Sequence, residues 1–518
     1  MSKKFAEHKG LDLTQVNNDI LAQWTKNDIF HKTISEREGC PKFVFFEGPP
    51  SANGHPGIHH VLARSIKDTF NRYKTMQGFQ VPRKAGWDTH GLPVELGVEK
   101  ELGITKKDID NKESDKYISV EDYNHKCREN VMMFTAEWRD LTEKMGYFVD
   151  LDNPYITYDN KYIETLWWLL KNIYGKGLLY KGYTIQPYSP AAGTGLSSHE
   201  LNLPGCYKDV KDTTVTAIFD ILEPRNEWTE WGSAKIVAWT TTPWTLPSNT
   251  ALCVGPKIKY VAVQTYNTYN DEPITIIMAE ARINAYLKEE GKVDSIDDLK
   301  VKYQAIVDAV AKGDKNAMKM AVPYRVIGSY VGSELVGLKY KQLMPWVKPC
   351  AKLDRNSAKF VEDYAAQHPE KVFIGENGSD KFVEMEEEAF RVISGDYVTT
   401  EDGTGIVHIA PTFGADDANV AKVAGIPGLY LINKKEETRP MVDLQGKYYE
   451  IKDLDKNFIE RCLDKDAYSS HAGDYVKNAY DPQFNPNGIW DVKASEKALD
   501  LNVTMCIEMK KAGTAFSI

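Results

Sequence analysis

Lys42 to Phe46 (KFVFF) reads as a short buried strand, and Gly48-Pro49-Pro50 stops it. From His60 onward, Leu62, Ile66, Phe70 and Tyr73 recur at helical spacing and predict one apolar helix face. A strand, a Gly/Pro-rich loop and a helix in succession open a doubly wound domain, so the predicted fold class is α/β. No GxxxxGK[ST] or GxGxxG occurs, so neither a P-loop nor a dinucleotide fingerprint competes for the loop.

The loop itself, GPPSANGHPGIHH from Gly48 to His60, holds His55, His59 and His60 out of 11 histidines in the chain. A helix N-terminus presents unpaired N–H groups and partial positive charge, which favour an anion. Imidazoles there can donate to phosphate oxygens, and glycine lets a nucleotide approach the backbone. Arg64, Lys67, Arg72, Lys74, Arg83 and Lys84 follow, opposed only by Asp68, and read equally as support for an anion site or as a turn with a solvated basic helix face. In GWDTHGLPVE (Gly86 to Glu95), Asp88 sits between Trp87 and a turn, where a carboxylate can meet an ammonium group or cap a helix.

The texture of the chain divides it into three regions. Residues 1–205 are rich in Trp, Tyr and helical patterning; in YIETLWWLLKNIYGKGLLY a wide apolar stripe predicts a buried helix with Trp167 and Trp168 in the core. Residues 206–445 carry short β-branched runs, KIVAWTTT (Lys235 to Thr242), KYVAVQTY (Lys259 to Tyr266) and GIVHIA (Gly405 to Ala410), and predict a mainly β domain interrupted by a charged helical stretch near 279–320. Residues 446–518 are polar and helical, with a last helix near Ala494 to Lys511. In the β region, WTTTPWTLPSN and GTGIVHIAPTFGADD bring threonine hydroxyls, His408 and Asp416-Asp417, groups that can position a water or an amine; threonines chosen for strand propensity are the plainer reading.

Composition bounds the partners. A net charge of -10 excludes nucleic-acid binding through the overall field and leaves it to a local patch. No apolar run reaches the ~18–20 residues of a bilayer span, and the N-terminus lacks the apolar core of a signal peptide, so a cytoplasmic protein is expected. The 7 cysteines are scattered without a CxxC pair, which argues against a disulfide framework and a structural zinc site.

Together GPPSANG…HHVLARSIKD, GWDTHGLPVE, WTTTPWTLPSN, GSYVGSELVGLKY (Gly328 to Tyr340) and GTGIVHIAP…ADD resemble the class I aminoacyl-tRNA synthetases, and among them the isoleucyl-tRNA synthetase family. The resemblance implies a Rossmann-like nucleotide-binding domain, of which 1–205 is the first half, an inserted mainly β editing domain over 206–445, and a helical return segment over 446–518. It implies ATP with Mg2+, L-isoleucine and tRNA(Ile) as substrates, a monomer, and hydrolysis of mischarged valyl-tRNA(Ile). His55, Gly57, Ile58, His59 and His60 stand where the family's HIGH signature binds ATP. Pro49, Pro50, Asp88 and His90 stand in its amino-acid pocket, with Asp88 on the amino group. Thr240, Thr241, Thr242, Asn249, His408 and Asp417 stand in its editing site, and no metal ligand is implied in this chain.

The signature departs from the family pattern, reading Gly57-Ile58-His59-His60 where His-x-Gly-His is usual. No KMSKS-like lysine loop occurs, so the chain is expected to be the N-terminal part of a longer enzyme, inactive in activation by itself, with any zinc confined to the part beyond it. A valyl-type synthetase and a fragment with only tRNA-binding or editing activity are the alternatives.

Overall fold

The strand predicted at Lys42 to Phe46 contributes only Phe45–Phe46 to a parallel sheet, paired with Arg83–Trp87, which in turn pairs with Asp150–Ile156. It is not the buried strand expected, since Val44 and Phe46 are exposed. The computed structural model describes residues 10–48, 50–180, 182, 184–190, 192–485 and 490–518. Contacts divide the chain into two units, Met1–Lys181 and Gly182–Ile518. No helix among the described residues is long and apolar enough to cross a membrane.

In the first unit the helix Ile58–Met76 is the crossover between the first two parallel strands. Its buried side is not the expected apolar face. Arg64, Asn71 and Thr75 point inward, while Leu62 and Phe70 are 66% and 64% exposed. The reason lies in the partners: the Arg64 guanidinium sits 5.0 Å from the Trp138 ring and donates to Thr142 Oγ1 at 2.5 Å. The reading as a solvated basic face is corrected likewise. Lys67 pairs with buried Glu47, Arg72 pairs with Asp68 and lies 4.0 Å from the Phe148 ring, and Arg83 is buried against Thr75. Trp167 and Trp168, expected in the core, are exposed on the helix Asn160–Gly175.

The second unit is built on a six-stranded sheet in the order Arg325–Val331, Lys259–Asn267, Glu272–Ala279, Ser233–Thr240, Val215–Asp220, Ala515–Ser517. The runs KIVAWTTT, KYVAVQTY and GIVHIA are all strands, the last in a three-stranded sheet with Ala251–Val254 and Arg391–Ser394. The 279–320 stretch carries the helices Ile283–Tyr286 and Ile296–Ala311, the second capped by Ser295. The last helix, Leu501–Ala512, begins later than expected because Asp500 caps it.

Two boundaries differ from the texture of the sequence. The break in contacts falls at Lys181, not 205. Residues 446–518 do not stand apart either: Ala515–Ser517 extends the main sheet, and Cys506 and Met509 pack into its core. Polar composition hid this because only one face of Leu501–Ala512 is buried and the strand that follows is three residues long.

Candidate functional site

In the first unit the candidate residues collect at the carboxyl ends of the parallel strands, where ligands of open α/β sheets bind. Asp88 N–H donates to Pro50 O at 3.1 Å, which places the Gly/Pro loop beside the end of Arg83–Trp87. Asp88 is half-buried, and its Oδ1 accepts the His90 N–H at 3.3 Å. The exposed His90 turns its Nδ1 to Thr157 Oγ1, 2.8 Å away, just beyond the third strand. Phe134 N–H donates to Ala52 O at 3.0 Å and Trp138 Nε1 to Gly54 O at 2.9 Å, so the loop is fixed to the helical segment behind it. Pro49 lies outside the described residues.

The histidines divide by role. His60 Nδ1 accepts the Gly57 N–H at 2.9 Å and so caps its own helix, and burial, with His59 and Arg64 nearby, holds its pKa below the ordinary value. A neutral ring that closes a cap leaves Nε2 for a ligand. His55 is engaged by Glu137 at 2.7 Å, whereas Ile58 and His59 are exposed at the helix start.

The second unit holds a cavity of about 650 Å³. Its walls include Thr242, Trp244 and Thr245 from the threonine loop, His408 from the strand Ile406–Ile409, Thr412 from the loop after it and Asp417 from the helix Ala415–Ala424. Most of the segment 184–190 also lines it, as do Arg439, Pro440, Val442, Asp443 and Leu444. The threonine run folds so that Thr240 and Thr242 share a side, with Thr242 N–H donating to Thr240 Oγ1 at 3.1 Å, while Thr241 is exposed and does not line the cavity. Asn249 is buried and does not line the cavity.

Asn249 instead fixes the state of His408. Tyr340 donates to Asn249 Oδ1 at 2.6 Å, so the amide nitrogen faces Ala251 O at 2.8 Å and His408 Nδ1 at 3.4 Å. Nδ1 therefore accepts, and Nε2 carries the proton towards Thr245 Oγ1 at 3.0 Å, whose own proton goes to Thr242 O at 2.8 Å. Burial pushes the His408 pKa down to about 4, so the ring is neutral near pH 7 and has no free lone pair. Two carboxylates line the cavity, Asp443 and Asp417, and burial shifts the pKa of Asp417. Its Oδ2 accepts the Ala410 N–H at 3.0 Å, and burial raises its pKa to about 6 despite that bond. Such a carboxylate can hold a substrate ammonium or orient a water.

The family model described as tRNA synthetases class I (I, L, M and V) matches residues 19–487. The chain belongs to the class I tRNA synthetases. The α/β synthetase fold with a β-rich insertion, expected from the motifs, is the fold of this family. Among curated relatives it is 58% identical over its whole length to the isoleucine–tRNA ligase of Bacteroides thetaiotaomicron, covering 41% of that protein. It is 54% identical, again over its whole length, to that of Porphyromonas gingivalis, covering 40%. The identity is 47% to that of Cytophaga hutchinsonii, over 99% of this chain and 40% of the relative. The chain thus spans about two fifths of the length of these relatives. The crystal structure of the ternary complex of Agrobacterium radiobacter K84 agnB2 LeuRS-tRNA-LeuAMS aligns at 14% identity over 74% of this chain and 57% of that one, with a TM-score of 0.28.

Sequence motifs alone pass over many walls of this cavity, among them Thr245, Thr412, Arg439 and the segment 184–190. Thr245 had a signal. Pro243 opens a 3-10 helix over Pro243–Ser248, whose three-residue turn eclipses positions i and i+3, and it sets Thr242 and Thr245 Oγ1 3.2 Å apart. Thr412 and 184–190 had none, being loop residues delivered by tertiary packing.

Proposed function

We propose that this class I synthetase chain serves an isoleucine–tRNA ligase, in which isoleucine is activated by ATP and passed to tRNA(Ile), and that the cavity of the second unit hydrolyses valyl-tRNA(Ile). ATP enters as its magnesium complex, as substrate. Relatives named isoleucine–tRNA ligase at 58% identity over the whole chain favour isoleucine over valine as the amino acid. At the strand ends of the first unit, Asp88 pairs with the ammonium of isoleucine, and His60 Nε2 donates towards the phosphates at the helix start. The activation step needs in-line placement of the carboxylate on the α-phosphorus and stabilisation of the leaving pyrophosphate, with little covalent help.

A second site answers a physical limit. The isoleucine enzyme is itself the known example: a hydrophobic pocket separates Ile from Val by only ~150-fold, so a smaller hydrolytic site completes the discrimination. The reading of the cavity rests on one observation, Asp417 in its wall beside a His408 whose lone pair is already taken. With no free histidine base and no nucleophile–base pair among the lining residues, attack on the ester falls to a water. Asp417 either orients that water or grips the ammonium, and Thr242 and Thr245 bound the space for the side chain.

The test is hydrolysis of valyl- and isoleucyl-tRNA(Ile) by the purified protein at stoichiometric concentrations. The valyl ester is expected to be cleaved faster. Cleavage of neither ester would refute the hydrolytic reading, and equal rates for both would refute its selectivity for valine; the ligase reading is checked separately by isoleucine-dependent ATP–pyrophosphate exchange of the protein that carries this chain.

A further inference from the structure

The threonine loop reaches the cavity through Trp244, and both polar groups of the Trp244 main chain are held from the far end of the sequence. Its N–H donates to Asn502 Oδ1 at 3.2 Å, and its carbonyl accepts the Tyr448 hydroxyl at 2.5 Å. Asn502 and Tyr448 are both fully buried. Asn502 lies in the first turn of Leu501–Ala512, and its Nδ2 donates to Asp212 Oδ1 at 3.3 Å, three residues before the strand Val215–Asp220. Asp212 also pairs with Lys477. The amide thus joins three segments: the loop, the approach to the first strand of the main sheet, and the helix before its last strand.

We propose that Asn502 is a positioning residue for the hydrolytic cavity, setting the Trp244 peptide and through it Thr245 against His408. This rests on the reading of that cavity as an ester-hydrolysing site. Asn502 and Tyr448 do not touch the reacting atoms. Trp244 lines the cavity and packs edge-on against Phe413, 5.0 Å away, while the next residue, Thr245, binds His408. A shift of the Trp244 peptide therefore moves the hydroxyl that orients the histidine. Misplacement by about 1 Å in such a site costs on the order of 100-fold in rate.

The donor–acceptor polarity supplies the experiment. Asn502→Asp keeps an acceptor for Trp244 N–H but sets a carboxylate against Asp212. The swap Asn502→Asp with Asp212→Asn restores one donor and one acceptor and the same net charge. We expect kcat for valyl-tRNA(Ile) hydrolysis to fall at least tenfold in Asn502→Asp with KM little changed, and to recover in the swap. Hydrogen exchange of the peptide spanning residues 240–249 should quicken in Asn502→Ala and be restored to the wild-type rate in the swap. A wild type that cleaves neither ester overturns the functional reading. A wild type that cleaves valyl-tRNA(Ile), with Asn502→Asp equally fast or with the loss persisting in a swap that melts at the wild-type temperature, overturns the positioning role alone. Unchanged exchange in Asn502→Ala does the same without reference to hydrolysis.

Discussion

Thr245 Oγ1 lies 3.0 Å from His408 Nε2, and this contact, with Asn249 on the other ring nitrogen, leaves the buried histidine a fixed donor, not a base. Thr245→Val keeps the volume but removes the acceptor, so His408 loses the partner of its Nε2–H. A buried donor left unpaired costs about 1–3 kcal/mol. The variant should melt at lower temperature and hydrolyse valyl-tRNA(Ile) about tenfold more slowly, equivalent to ~1.4 kcal/mol of barrier. A variant with wild-type melting and rate would show that the hydroxyl neither pairs with nor orients the ring.

The hydrolysis rate should follow the ionisation of Asp417. Burial lifts its pKa from 3.8 to about 6, so the folded state binds its proton more tightly than the unfolded chain. The stability it contributes is present below the unfolded value and is lost as pH rises to about 6. His408 has the opposite sign: its pKa falls from 6.5 to about 4, so its contribution is present above 6.5 and lost as pH drops to about 4. The two slopes oppose each other over the same window, which makes acid melting a poor probe and rate a clear one. After subtraction of uncatalysed hydrolysis, the rate should climb with pH to a plateau above about 6, and Asp417→Asn should remove that limb together with the preference for valine over isoleucine. A wild-type limb that survives in Asp417→Asn belongs to another group.

Gly86 lies where the middle strand of the first unit passes the Tyr155 ring, and a Cβ there would overlap the ring atoms. Tyr155 cannot simply swing away, because its hydroxyl donates to Glu47 O at the end of the neighbouring strand. Gly86→Ala should therefore destabilise by about 1–3 kcal/mol, the usual cost of overpacking. Urea unfolding of the purified protein checks this, and a midpoint unchanged from wild type would mean the ring has room to move.

Local pattern carried the strand, loop and helix of the first unit and the β runs of the second, because Phe45–Phe46, Lys259–Asn267 and Ile406–Ile409 are each set by neighbours in sequence. It also named Thr242, His408 and Asp417, which the fold brings to one cavity. It misjudged the buried side of Ile58–Met76, since apolar periodicity does not register that Arg64 has Trp138 and Thr142 waiting for it. It was silent on Asn502 and Tyr448, whose contacts with Trp244 span 258 and 204 residues. Buried polar pairs of that separation leave no periodic trace.

Asp88 provides the test of the first unit. It sits at the end of Arg83–Trp87, against Pro50, with one long bond from the His90 N–H and no ion pair among the described residues. A half-buried carboxylate with so little internal pairing is free to take a cationic group, and a charge-assisted bond is worth about 1.5–3 kcal/mol, or roughly 10- to 150-fold in binding. In the protein that carries this chain, Asp88→Asn should raise the KM for isoleucine in ATP–pyrophosphate exchange by that factor and leave the KM for ATP unchanged. Asparagine still accepts the His90 N–H, so the local turn survives and a general loss of folding is avoided. A parallel rise in both KM values would show that Asp88 shapes the strand end instead of binding the amino group. A rise for ATP alone would move the residue to the nucleotide side of the site.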